Sequence, residues 1–188
     1  MQELIFLKKY WILFPIMFFS FFFFLLLMCV TSTGGSEENV VSLTLKIPFE
    51  DGVDFTITSL FGERVDPIET DKIKFHTGID LGASDGVNIV ASLEGKVIEV
   101  GYSETGLGNY VYLEHNISGL KVYTIYGHML DDSIVVRKGD FVETQQKIGV
   151  IGSTGKSTGT HLHFVICVNK LSFEKEYLID PINVIEGL

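Results

Sequence analysis

Hydrophobic positions divide the chain into two unlike parts. From Tyr10 to Val30 they run together without a charge, dominated by Phe, Leu and Ile. A helix over residues 10–30 would be about 31 Å long, enough to span the hydrocarbon core of a bilayer. Lys8 and Lys9 flank its start, and Glu37 and Glu38 follow its end. The positive-inside rule predicts residues 1–9 in the cytoplasm and everything beyond Val30 outside the cell membrane. The expectation is therefore a single-pass N-terminal transmembrane helix at 10–30. A cleavable signal peptide fits less well, because its apolar region is ordinarily about 7–15 residues and no A-x-A-like site follows. Lipid attachment at Cys29 is disfavoured by the bulky Met28 before it.

Beyond the run the period changes. Residues 31–40 are small and polar, with Gly34-Gly35-Ser36, and read as a tether. Val41, Leu43, Leu45 and Ile47 alternate as in a strand, which either packs on the following domain or extends the stalk. The linker is placed at 31–48 and the domain at 49–188. Within the domain, strands are predicted at 55–59, 88–91, 95–102, 109–115, 120–127, 147–151 and 161–168, with a weaker one at 135–136. They are rich in Val, Ile and Tyr and are broken by Gly, Asn and Asp. No long segment of helical period competes outside the N-terminus. The fold class is all-β: an antiparallel sandwich or partly open barrel. Gly86 to Ile98 and Gly139 to Gly149 are loosely similar, a faint duplicated hairpin. Polar or glycine-rich loops are expected at 66–74, 103–108 and 152–160.

A formal net charge of −10 argues against nucleic acid, whose binding depends on neutralising phosphates. The two cysteines, Cys29 and Cys167, lie in different segments and form no disulfide scaffold. Cys167 is flanked by Ile166 and Val168 and reads as a core thiol, not a nucleophile.

The chemistry lies in the five histidines. His161 and His163 are two apart in a predicted strand, so both project from one face. His76 and Asp80 are four apart, with Gly78 between them to permit a turn. His128 closes a β-branched and aromatic run, and His115 reads as solvated. Hydrolytic zinc usually takes three protein ligands and leaves one position open. His76, Asp80 and one histidine of the final pair could supply that set. The other histidine of the pair and His128 are then left for proton transfer and charge stabilisation. The loop Gly152-Ser153-Thr154-Gly155-Lys156-Ser157 lacks the spacing of a phosphate loop, and no helix pattern follows it.

These motifs, H-x-x-x-D at 76–80, Y-G-H at 126–128 and S-T-G-x-H-L-H-F at 157–164, resemble the lysostaphin-type (LytM-like) zinc endopeptidases of bacterial cell walls. The resemblance runs from about Phe55 to Asn183. It includes Gly86, Gly95, Gly108-Asn109, Lys138-Gly139-Asp140, Ile148-Gly149 and Asp180-Pro181. It implies one Zn2+ held by His76, Asp80 and His163. It also implies His161 as general base and His128 as the group that assists the water or the oxyanion. Asn109 and Thr160 are expected to touch substrate. Two departures stand out: Val165 where the family usually has Glu, and no glycine in Val142-Glu143-Thr144-Gln145-Gln146-Lys147. Neither touches the ligand set.

The expectation is a membrane-anchored endopeptidase cutting peptide bonds in peptidoglycan stem peptides or cross-bridges. A non-catalytic zinc-binding scaffold that docks an envelope protein partner is the alternative, since some relatives serve that way. A carrier or phosphotransfer module is disfavoured by the anchor and by the absence of a lysine at a hairpin tip.

Overall fold

The computed structural model describes residues 42–67 and 69–188. The predicted cytoplasmic segment, transmembrane helix and tether lie outside the described residues. Among the described residues, no helix is long and apolar enough to cross a membrane.

Twelve strands follow one another: β1 (Phe55–Ser59), β2 (Gly62–Val65), β3 (Ile73–His76), β4 (Ile79–Ala83), β5 (Asn88–Val90), β6 (Gly95–Ser103), β7 (Gly108–Ile117), β8 (Leu120–Met129), β9 (Phe141–Val142), β10 (Lys147–Val150), β11 (Leu162–Val168) and β12 (Leu178–Ile179). The only helical elements among the described residues are two 3₁₀ turns, Lys175–Tyr177 and Pro181–Asn183. The main sheet has the order β1-β4-β11-β8-β7-β6-β9, with β12 also pairing β11. Two further pairs, β5–β10 and β2–β3, complete the antiparallel, all-β architecture.

β8 and β11 form the middle of the sheet and are buried on both faces. On one face Val122, Tyr126, Phe164 and Ile166 join the main core with Leu45, Phe49, Ile89 and Ile148. On the other, Tyr123, Ile125, Val165 and Cys167 form a smaller cluster, covered in part by Leu171 and Leu178. Cys167 is buried as expected, and burial pushes its thiol up. The alternating segment before residue 49 packs on this domain. Leu45 bridges Ile185, Phe49 bridges Ile89, and both side chains are buried in the main core.

The two similar segments pair with each other. β5 pairs β10, and β6 pairs β9. Each half of the faint duplication thus supplies the partner of the other.

Several elements differ from the sequence-based expectation. β2, β3, β4, β9 and β12 are strands where the sequence pattern predicts none, and β3 begins inside the loop expected at 66–74. β4 is held by long-range pairing to β1 and β11, which local propensity does not contain. Residues 135–136 form no strand, since Val135 N–H makes a single ladder-like bond to Ile148 O (3.1 Å). His115 is not solvated; it is only 1% exposed. Alternation along β7 puts it on the core face with Val111 and Leu113. Its Nδ1–H donates to Glu94 O (2.7 Å), and its Nε2 lies 2.8 Å from the Thr124 hydroxyl. Burial pushes this imidazole below its ordinary value.

Candidate metal centre

Strand register assembles the centre. On β11, His163 is paired with Asp80 of β4 on one side and with Gly127 of β8 on the other. His128 is the next residue of β8, and His76 is the last residue of β3. The turn from His76 to Asp80 passes so close to β11 that a Cβ on Gly78 would lie 2.1 Å from Phe164 O. Glycine is required there by the approach of two backbones.

Three donor atoms converge. His76 Nε2 is 3.1 Å from Asp80 Oδ1 and 3.1 Å from His163 Nδ1, and His163 Nδ1 is 2.8 Å from Asp80 Oδ1. All three residues are buried. The Nδ1–H of His76 donates to Leu60 O (2.7 Å), which leaves a lone pair on the neutral ring's Nε2 facing the other two atoms. Three such atoms within 3.1 Å of one another are close enough to share one ion. The spacing approaches the roughly 3.3 Å between ligands bound to tetrahedral zinc at about 2.0 Å. The donor set fits zinc.

Charge in the centre follows from burial and contact. Burial opposes ionisation of Asp80, but the His163 and His76 imidazoles beside it prevail and hold the carboxyl far below the usual carboxylate range. Arg64 Nη2 approaches the outer oxygen, Oδ2, at 3.5 Å. Burial pushes His163 below its ordinary value, against the pull of Asp80, and so favours the neutral ring that a metal needs.

Two further imidazoles face the same space. His161 Nδ1–H donates to Gly159 O (2.8 Å), and its Nε2 lies 3.7 Å from Asp80 Oδ1. His128 Nδ1–H donates to Thr154 O (2.7 Å), and its ring stands 4.7 Å from that of His161. Burial pushes His128 down to about 4, so it is neutral near pH 7. Its backbone has φ of +60°, which few non-glycine residues adopt; its N–H is held by Leu107 O (2.6 Å). Thr154 is the organiser of this wall. Its hydroxyl donates to Met129 O (2.7 Å) and accepts from Asn109 N–H (2.9 Å).

The centre lies on a cleft of about 660 Å³. Tyr110 and Tyr112 stack along one wall at 4.7 Å, and burial pushes the Tyr112 phenol up to about 12. Arg64, Lys74 and Lys156 also line it. Asn109 does not line the cleft: its side-chain amide donates to Asp131 (2.8 Å) and Met129 O (3.3 Å). Nor does Thr160, whose hydroxyl donates to Asp85 (2.7 Å) beside a separate shallow depression. Leu60 O, Arg64 and Thr154 were not singled out from the sequence. A backbone carbonyl leaves no trace in side-chain identity, Arg64 lies where the pattern predicts no element, and Thr154 sits in the loop expected at 152–160.

An all-β domain with a His-His-Asp donor set and two more imidazoles on an open cleft has the layout of a zinc-dependent hydrolase. Residues 74–175 match Peptidase family M23, and the chain belongs to that family, the lysostaphin-type metallopeptidases. It is 39% identical over 113 residues to the peptidoglycan DD-endopeptidase ShyB of Vibrio cholerae, covering 60% of this chain and 25% of ShyB. It is 39% identical over 89 residues to the murein hydrolase activator NlpD of Escherichia coli, covering 47% of this chain and 22% of NlpD. The chain thus spans about a quarter or less of the length of these two curated relatives. The catalytic domain of the antimicrobial peptidase lysostaphin from Staphylococcus simulans superposes with a TM-score of 0.57 at 30% identity, over 70% of this chain and 90% of that one.

Proposed function

We propose that this chain is a membrane-anchored zinc metalloendopeptidase that hydrolyses peptide bonds in peptidoglycan stem peptides or cross-bridges. The observation that carries it is the convergence of His76, Asp80 and His163 beside two imidazoles that are not needed as ligands. Zinc held by those three residues supplies Lewis acidity toward water and toward a peptide carbonyl. His161 is the general base: the Gly159 carbonyl fixes its Nδ1 proton, so Nε2 faces the cleft free to take a proton from water. It then returns that proton to the leaving amine. His128, neutral and with its Nδ1–H held from behind by Thr154 O, presents the Nε2 lone pair to the cleft, where it accepts a hydrogen bond from the water. The apolar run at 10–30 tethers the domain outside the cell membrane, where peptidoglycan is found.

The test is zinc content and release of muropeptide fragments by the purified full-length chain, beside His161→Ala and His163→Ala. The unmodified chain is expected to carry about one zinc, as a His-His-Asp set holds one ion, and to create new peptide termini. His161→Ala should keep zinc and lose cleavage; His163→Ala should lose both. The similarity to NlpD supports a second reading, a zinc-binding scaffold that docks an envelope partner. Zinc without cleavage would put that reading first, and a chain that binds no zinc would sink both.

A further inference from the structure

The cleft carries a charge pattern opposite to that of the chain. Against a net charge of −10, its lining holds three cations, Arg64, Lys74 and Lys156, and two carboxylates, Asp66 and Asp80. Asp80 belongs to the metal centre. Arg64 and Lys74 are directly opposite each other in the β2–β3 register, so they share one face of the hairpin. Like charges placed so are destabilising unless something anionic offsets them. Lys74 is taken up tightly, by Asp66 at 2.9 Å and by Glu69 at 3.3 Å. Arg64 and Lys156 are not. Arg64 reaches Asp80 at 3.5 Å, and Lys156 reaches Asp66 at 3.9 Å, lengths that leave most of their donors for a ligand. Lys156 enters from the opposite bank, on a loop fixed by its own N–H to Gly106 O (2.9 Å).

We propose that Arg64 and Lys156 form a carboxylate-binding subsite beside the metal centre, so that the cleft selects peptides carrying a free carboxylate near the scissile bond over their amidated forms. The proposal rests on the peptidase reading and names the substrate chemistry of that cleft. Arginine offers a planar fork to a carboxylate, and lysine offers a point charge on a flexible stem. Together they can grip an acidic side chain or a terminal carboxylate while the stacked Tyr110 and Tyr112 line the other wall. Amidation removes the charge and one acceptor without changing the length of the peptide.

The probe is a cross-linked muropeptide dimer with free carboxylates, and the same dimer with those carboxylates converted to carboxamides. Each is titrated by calorimetry into the full-length chain carrying zinc and His161→Ala, so that substrate is not consumed. The free-carboxylate dimer should bind about tenfold more tightly, the scale of one charge-assisted hydrogen bond. Adding Lys156→Gln or Arg64→Gln should bring the ratio close to unity, and Lys156→Glu should invert it. Raising the salt concentration should shrink the ratio in the parent. Equal binding of the two dimers, no binding of either, or a ratio unmoved by both substitutions overturns the proposal. Hydrolysis of both dimers by the unmodified chain at equal rates and with equal affinity would sink the subsite and leave the peptidase standing. Selective binding without hydrolysis would sink the peptidase and leave the subsite standing.

Discussion

His115 shows how one side chain can set a pH limit far from any chemistry. It is buried and neutral, with both ring nitrogens engaged. Burial lowers its folded pKa, so the unfolded chain takes up a proton first as pH falls below about 6.5. Stability is therefore intact above that value and is lost as pH drops through it, by up to about 1.4 kcal/mol per pH unit. His115→Gln removes this titration. Urea unfolding between pH 7.5 and 5 should show a shallower loss in the variant than in the parent. Equal slopes would mean that His115 titrates alike in both states. The same residue marks the limit of reading positions singly. Its neighbour Glu114 made it look solvated, whereas its place in the alternation Val111, Leu113, His115 pointed inward.

At the scale of elements, the β4–β11 pairing carries the centre. His163 and Asp80 face each other because Phe164 pairs Ile79 and Leu162 pairs Leu81. Gly78 allows this contact, since any Cβ there would strike Phe164 O. Gly78→Ala must push β4 from β11, at a cost of about 3 kcal/mol or more. It should also lose zinc, because a shift of the turn parts His76 from His163. Denaturant unfolding and metal analysis check this together. A variant as stable as the parent and still loaded with zinc would show that the turn has room to move. β11 itself was legible in the sequence as an apolar strand opening on two histidines. β4 was not, because Asp80 and Gly82 are poor strand formers and only pairing with β1 and β11 makes them one.

At the scale of the whole molecule, a zinc ion held by His76, Asp80 and His163 would tie the neighbouring strands β3 and β4 to β11, which is distant along the chain. The stability it adds grows with free metal, by about 2.7 kcal/mol when zinc is a hundredfold above its dissociation constant. Chelation is expected to lower the melting temperature of the domain, and zinc to restore it. His163→Ala should melt at the same temperature with and without chelator. No change in the parent on chelation would count against a resident ion in that donor set.

What the sequence by itself determined was the all-β class, the main strands and which four histidines and one aspartate, His76, Asp80, His128, His161 and His163, line one cleft. Strand alternation, turn glycines and the spacing of H-x-x-x-D and H-x-H are local facts, and each is written in adjacent residues. The tertiary structure alone decided what surrounds them. Leu60 O orients His76, Thr154 O orients His128, and Arg64 and Lys156 turn toward the cleft. It also decided that Asn109 and Thr160 point to Asp131 and Asp85 instead of lining that cleft. Those arrangements come from register between strands far apart in the chain and from backbone carbonyls, and neither has a local signature in residue type.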